Sequence, residues 1–426
     1  MISNTLTMPP VEMLTEQRFS PQELAQMQAL TRAKRTRVVV TGLGAITPLG
    51  HTPEEFWQNL LAGKSGIGPV TLFDASQYRT RIAGEVKNFD VTRYGVDTKD
   101  ARRMGRATLF ALAAAKGALT DAGFPEGLKE NERAGVLLGT ALGGFVEAIE
   151  AHKGFMQKGP ERMSPFLPAV ILPNMPSFYV ANYFRARGYN STIVTACAAG
   201  THAVGAAAEI IRRGDADIML GGGTDAVISE IVFGVFGVMR ATTTRNDEPT
   251  RASRPFDKDR DGFVIGEGAA IVVLERLEHA LARGARIYAE VLGYATNSDA
   301  YHFAAPDPQA LGATSVMRDA MRNAGVTTDQ VDYINAHGTS TPLNDAGETL
   351  AIKNVFGQRA YEIPVSSTKS MIGHSMGAAG AFEAVACVMT LRDQMIHPTI
   401  NYETPDPACD LDYVPNVART ATVNIA

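Results

Sequence analysis

Val194-Thr195-Ala196-Cys197-Ala198-Ala199-Gly200 is the stretch that decides how this chain reads. A β-branched run turns there into small, helix-compatible residues that continue to about Arg213, which predicts a strand followed at once by a helix, with a thiol at the junction. The first turn of a helix carries unpaired backbone N–H groups and roughly half a positive charge, so a cysteine placed there is expected to be nucleophilic without a neighbouring base. The competing reading is a buried thiol serving as a small apolar residue. Two histidine-bearing segments further along favour the nucleophile.

At 426 residues the chain can bury one large core or two fused ones. Hydrophobic residues at 45%, with 40 glycines and a single tryptophan, point to an α/β protein with close backbone packing. A formal charge of −5 gives no overall attraction to nucleic acid or to an anionic membrane, so an acidic partner would need a local basic patch. Cys197, Cys387 and Cys409 have no regular spacing, which excludes a disulfide framework and a cysteine-rich zinc site and places the chain in a reducing compartment, the cytoplasm. No run approaches the ~18 apolar residues of a spanning helix, and residues 1–35 lack an apolar signal core.

Residues 1–35 read as an appendage, a tag or flexible arm, with a capped short helix after Ser20-Pro21. The body is expected to begin at Arg37-Val38-Val39-Val40, a strand closed by Thr41-Gly42-Leu43-Gly44. Those glycines do not make a dinucleotide site, because Thr47 replaces the third glycine of that fingerprint. A helix is expected over Arg102–Leu119, strands at 135–139 and at 218–220 before Gly221-Gly222-Gly223, a strand at 287–293, a helix over Thr314–Ala324 and a strand at 333–336. Two such α/β series predict halves at 36–285 and 286–426. The loop Asp257-Lys258-Asp259-Arg260-Asp261-Gly262 resembles the start of a calcium loop, but Gly268 stands at position twelve, so a salt-bridged structural loop is expected.

His337 ends the strand at 333–336 and precedes Gly338-Thr339-Ser340-Thr341-Pro342. His374 stands five residues after Lys369, beyond the strand Ile363-Pro364-Val365. Strand ends are where α/β proteins collect their sites. The histidines lie 37 residues apart, Cys197 lies 140 residues before His337, and there is no H-x-x-x-H or C-x-x-C pair, so no metal is expected.

The Cys197 segment, His337 through Pro342, Lys369 through His374 with Gly377-Ala378-Ala379-Gly380, and Arg251 through Asp257 together resemble the β-ketoacyl-acyl carrier protein synthases, nearest to their type II elongation branch. The likeness runs from about Arg37 to Val417. Its Cys-His-His order differs from that of the thiolases, which pair one histidine with a second cysteine. The resemblance implies a thiolase-like, duplicated α-β-α-β-α layered fold, usually a homodimer, and a decarboxylative condensation of acyl and malonyl thioesters on acyl carrier protein. It implies that Cys197 takes the acyl chain, that His337 and His374 stabilise the malonyl thioester oxygen as CO₂ leaves, and that Lys369 pairs with Glu383. It further implies that Thr339 and Thr341 bond the pantetheine arm, that Leu142 and Phe236 line an acyl tunnel, and that Lys99, Arg102, Arg103, Arg106 and Arg240 receive the carrier protein. No cofactor of its own is implied, since 4′-phosphopantetheine travels on the carrier.

The family continues with an Asn-Ser-Phe-Gly-Phe-Gly-Gly type loop and a last strand, which would lie beyond Ala426; the expectation is that Val423–Ile425 begins that strand. The alternatives are a noncatalytic partner of the chain-length-factor kind, which normally lacks the cysteine, a polyketide-type ketosynthase, and a thiolase or cysteine hydrolase.

Overall fold

The computed structural model describes residues 35–302 and 305–426, so the expected arm and its short helix lie, all but Arg35, outside the described residues. Six strands form the main sheet: β1 (Val38–Ile46), β2 (Ala134–Gly139), β3 (Asn190–Ile193), β4 (Ile218–Asp225), β5 (Gly268–Arg276) and β6 (Ala289–Glu290). Their order is β3-β2-β4-β5-β1-β6. β2 runs parallel to β3 and β4, and the remaining pairs are antiparallel.

Alternation along β5 shows why both faces are covered. Ala269, Ile271 and Val273 join the core beneath helix α1 (Arg106–Asp121), while Ala270, Val272 and Leu274 join the core beneath helices α2 (Ala199–Arg212) and α3 (Ala379–Asp393). A strand buried on both faces reads as a continuous apolar run, as this one does. The result is three layers, helix on sheet on helix. Beyond them, β7 (Ile334–Asn335) pairs in parallel with β8 (Val365–Ser366), and the chain leaves these two strands towards His337 and Lys369. Residues Arg37–Ala426 form one compact unit.

Several expected boundaries move, those of two strands for a packing reason. β1 does not close at Gly44 but continues to Ile46, because α1 lies directly on it: a side chain at Gly44 would strike the Ala114 carbonyl, and one at Gly42 the Ala118 carbonyl. β4 likewise runs through Gly221–Gly223 to Asp225, where Gly223 admits the Gly377 carbonyl. The helix expected from Arg102 begins instead at Arg106, after Gly105. Only Ala289–Glu290 of the 287–293 stretch pairs as a strand. The 257–262 loop is salt-bridged to its neighbours: Asp257 accepts from Arg254 Nε at 2.9 Å and from the backbone of Glu403 and Thr404, while Arg260 pairs with Asp406 at 2.6 Å.

The two sides of the site repeat one device. Ala196 has φ +48° and opens a 3₁₀ turn, Ala196–Ala198, from which α2 starts; Met376 has φ +48° and opens the turn Met376–Ala378, from which α3 starts. A side chain at Gly200 would stand 2.7 Å from the Gly377 carbonyl, so the two helix starts meet backbone to backbone.

Gly44→Ala is expected to cost on the order of 1–3 kcal/mol through overpacking of α1 against β1. A thermal unfolding curve unchanged from wild type would contradict this packing.

Candidate active site

Cys197 sits in the first of those turns, half-buried, and His374 Nε2 lies 3.0 Å from its Sγ. The buried His374 is fixed through its backbone, which donates to Val264 O at 2.7 Å and accepts from Gly266 N at 2.9 Å. The His337 ring stands perpendicular to it with centroids 5.3 Å apart, and Phe263 meets His374 edge-on at 5.4 Å. Burial pushes both imidazole pKa values well below the ordinary value, and the Lys369 ammonium lowers them further. Both rings are therefore neutral near pH 7. Each can give one proton from one ring nitrogen and take one at the other.

Burial raises the Cys197 pKa, and the opposing field of Lys369 is the smaller effect. Desolvation thus works against the activation expected of the helix start, and His374 is within reach to take the proton. Buried Lys369 is ion-paired with Glu383. Removing one partner of such a pair would strand a buried charge.

Two carboxylates that sequence reading passed over hold this geometry. Asp225, fully buried at the end of β4, accepts from Thr140 Oγ1 (2.7 Å), Ala141 N (2.7 Å), Leu142 N (3.2 Å) and Gly377 N (2.6 Å), and burial lifts its pKa to about 6. Glu348 accepts from His337 N (2.6 Å) and Gly338 N (2.8 Å), and burial pushes it up to about 7. The acid closing a glycine-rich strand, and the acid one helix beyond His337, were the available signals.

Residues 35–280 match the beta-ketoacyl synthase N-terminal domain and residues 288–403 the C-terminal domain. The chain belongs to the beta-ketoacyl synthase family. It is 49% identical over 397 residues to 3-oxoacyl-[acyl-carrier-protein] synthase 2 of Synechocystis sp., covering 93% of this chain and 95% of that one. The synthase 2 of Coxiella burnetii is 48% identical, covering 92% and 94%. Among solved structures, a beta-ketoacyl synthase from Burkholderia phymatum superposes with TM-score 0.84 at 36% identity, over 91% and 94% of the two chains. A type II polyketide ketosynthase, solved in complex with its acyl-carrier protein and a hexaketide, gives 0.84 at 37%, over 92% and 95%. The fold is that of the thiolase-like synthases.

Within this synthase fold the expected residues divide. Cys197, His337, His374, Lys369 and Glu383 are gathered, and Cys197, His337 and Glu383 line a cavity of about 670 Å³ together with Asn335 and Glu348. Leu142 and Phe236 pack in one apolar cluster with Cys197 and Phe263. Thr339 and Thr341 do not line that cavity; their hydroxyls are 2.9 Å apart, and Thr341 caps the helix Pro342–Phe356 by accepting from Asn344 N. Lys99, Arg102 and Arg240 are exposed. Arg103 lies over the Phe166 ring at 4.5 Å. Arg106 is withdrawn from the basic patch: it pairs at 2.6 Å with the fully buried Glu267 and covers Phe110, because an unpaired Glu267 would be costly.

The ligating atoms of Cys197, His337 and His374 all lie within 4.8 Å of one another, so sequence separation was no argument against a metal. The chemistry of the set is. Lys369 places a positive charge on these groups, and His374 Nδ1 lacks the carboxylate or carbonyl partner that orients metal-bound histidines.

Titrated by NMR from pH 8 to 6.5, the imidazole signals of His337 and His374 are expected to stay at the neutral position. A half-point at the ordinary 6.5 for either ring would contradict the burial that holds them neutral.

Proposed function

We propose that this chain condenses an acyl group held on Cys197 with malonyl-acyl carrier protein, with loss of CO₂, to give 3-oxoacyl-acyl carrier protein, the elongation step of fatty acid synthesis. The observation that carries this reading is a thiol 3.0 Å from one neutral imidazole, with a second neutral imidazole set perpendicular beside it. In the first half-reaction His374 takes the thiol proton, Sγ attacks the acyl thioester, and the proton passes to the departing carrier thiolate. Covalent capture separates two easier steps from one three-body event.

In the second half-reaction His374 carries its single proton on Nε2, the other neutral tautomer, and the malonyl thioester oxygen lies between the two rings and accepts an N–H from each. The bond to the carboxylate breaks, CO₂ leaves, and the electron pair moves onto that oxygen. C2 then attacks the acyl carbonyl, and the Cys197 thiolate departs and takes a proton from solvent. Each preorganised donor to such an oxyanion is worth on the order of 10²–10³ in rate. The Lys369–Glu383 pair fixes the charge beside His374.

The other readings have less support. A chain-length-factor role does not need the Cys197, His337 and His374 cluster, and a thiolase or cysteine hydrolase has no use for two imidazoles on one oxygen. The type II polyketide ketosynthase, at 37% identity, and the ishigamide ketosynthase/chain length factor, at 42%, are less alike than the synthase 2 relatives, at 49% and 48%. The reaction needs no cofactor beyond the pantetheine carried in by its partner.

The carrier partner is supported by the solved ketosynthase complex and by exposed Lys99, Arg102 and Arg240 on this chain. A homodimer is supported by β3, an edge strand continued by Val194, 53% exposed, with Phe178 exposed beside it. A division into two halves, 36–285 and 286–426, is supported by domain matches at 35–280 and 288–403 and by the repeated turn. A cytoplasmic setting is consistent with three unpaired cysteines, and none of the described helices is long and apolar enough to cross a membrane.

Cys197→Ala is expected to abolish acyl transfer with the fold intact by circular dichroism. His337→Ala should spare transfer and lower malonyl decarboxylation by on the order of 10²–10³; equal losses in both half-reactions would refute its assigned role. Val194→Asp should shift the protein towards monomer in analytical ultracentrifugation, and an unchanged mass would place the dimer contact elsewhere.

A further inference from the structure

Behind the reactive cluster lies a buried histidine that no step above uses. His397 is fully buried, as are Tyr333, Ser366 and Thr368 around it. Its Nδ1 lies 3.0 Å from the Pro398 carbonyl, which can only accept, so Nδ1 carries the proton and Nε2 presents a lone pair. Onto that lone pair converge Thr368 Oγ1 at 3.1 Å and Asn335 Nδ2 at 3.2 Å. Asn335 Nδ2 also reaches Tyr333 Oη and Thr368 Oγ1, each at 3.1 Å, and Tyr333 Oη meets Ser366 Oγ at 2.7 Å. The Trp57 ring meets the imidazole edge-on at 6.3 Å and closes the site from that side.

The placement of these partners matters more than their number. Asn335 ends β7 two residues before His337, and Thr368 follows β8 one residue before Lys369. The one acceptor lone pair of His397 therefore ties together the two strand ends from which His337 and Lys369 depart. The Cys197–His374 pair hangs from different anchors, namely Val264, Gly266 and the Asp225 bond to Gly377.

We propose that His397 is a positioning residue for decarboxylation: as a neutral acceptor it sets where His337 and Lys369 stand, and the acyl-transfer half-reaction runs largely without it. This rests on the condensing-enzyme reading. It adds that the two half-reactions are held by separable supports, one on each side of the cluster.

The test measures both half-reactions on purified full-length protein: acyl transfer to Cys197 from acyl-acyl carrier protein, and CO₂ release from malonyl-acyl carrier protein. His397→Leu, which keeps bulk and removes the acceptor, should lower CO₂ release on the order of ten- to hundredfold, the effect of a small misplacement remote from the chemistry, and leave transfer within about twofold. His397→Gln, whose Oε1 can accept in place of Nε2, should recover most of the lost rate. Thr368→Val, of matching shape, removes one donor and serves if the leucine variant does not fold; it should show the same split in weaker form. Parallel loss of both half-reactions in these variants, no loss in either, or glutamine no better than leucine would overturn the proposal. Absence of CO₂ release from the wild type would instead overturn the condensing-enzyme reading itself.

Discussion

The close contact between two helix starts is the constraint on which the rest of this structure depends. α2 and α3 begin against each other across Gly200 and Gly377, where a methyl group has no room. That contact sets two 3₁₀ turns face to face, each entered through a residue in the left-handed region, which costs alanine or methionine on the order of 1 kcal/mol or more. Cys197 comes from one turn and His374 precedes the other, so Sγ and Nε2 meet at 3.0 Å without either side chain reaching for its partner. Asp225 reinforces the contact by accepting backbone N–H groups from both the 140–142 loop and Gly377. A carboxylate with that many donors can remain charged in the core, although burial pulls its pKa upward.

Dryness is what turns this geometry into chemistry. Three groups that would titrate freely in water are held in their uncharged forms here: burial raises the thiol and lowers both imidazoles. Neutral imidazoles are hydrogen-bond donors without net charge, the form suited to an oxygen that becomes negative only in the transition state. Lys369 supplies a fixed positive charge, and Glu383 keeps it from being a stranded ion. The protein thus separates roles by environment, with the proton carriers neutral and the positive charge held on a paired ammonium.

Much of this was legible in the chain, for identifiable reasons. The switch from β-branched to small residues at Val194–Gly200 marks the strand, turn and helix because side-chain crowding differs between those states. The histidines read as site residues because each follows an apolar strand. What the sequence concealed is contact at long range. Gly42, Gly44 and Gly221–Gly223 look like turn residues but are strand residues pressed by neighbouring backbone. Arg106 looks like one more member of a basic patch, since its partner Glu267 is 161 residues away. Asp225 and Glu348 bind backbone N–H groups, so their partners leave no trace in side-chain identity and only the acids' own positions could signal them. The shared Ala-Ala-Gly at 198–200 and 378–380 was too short to stand out as a repeat until the matching turns gave it meaning.

The most direct measurement is the intact mass of the protein, followed by peptide mapping, after exposure to acyl-acyl carrier protein and then to malonyl-acyl carrier protein. The convergence of one thiol and two neutral imidazoles requires a single acyl adduct on Cys197 that disappears on the second addition as a carrier-bound product two carbons longer forms. An adduct elsewhere, or one on Cys197 released as free acid with no carbon–carbon bond made, would contradict it.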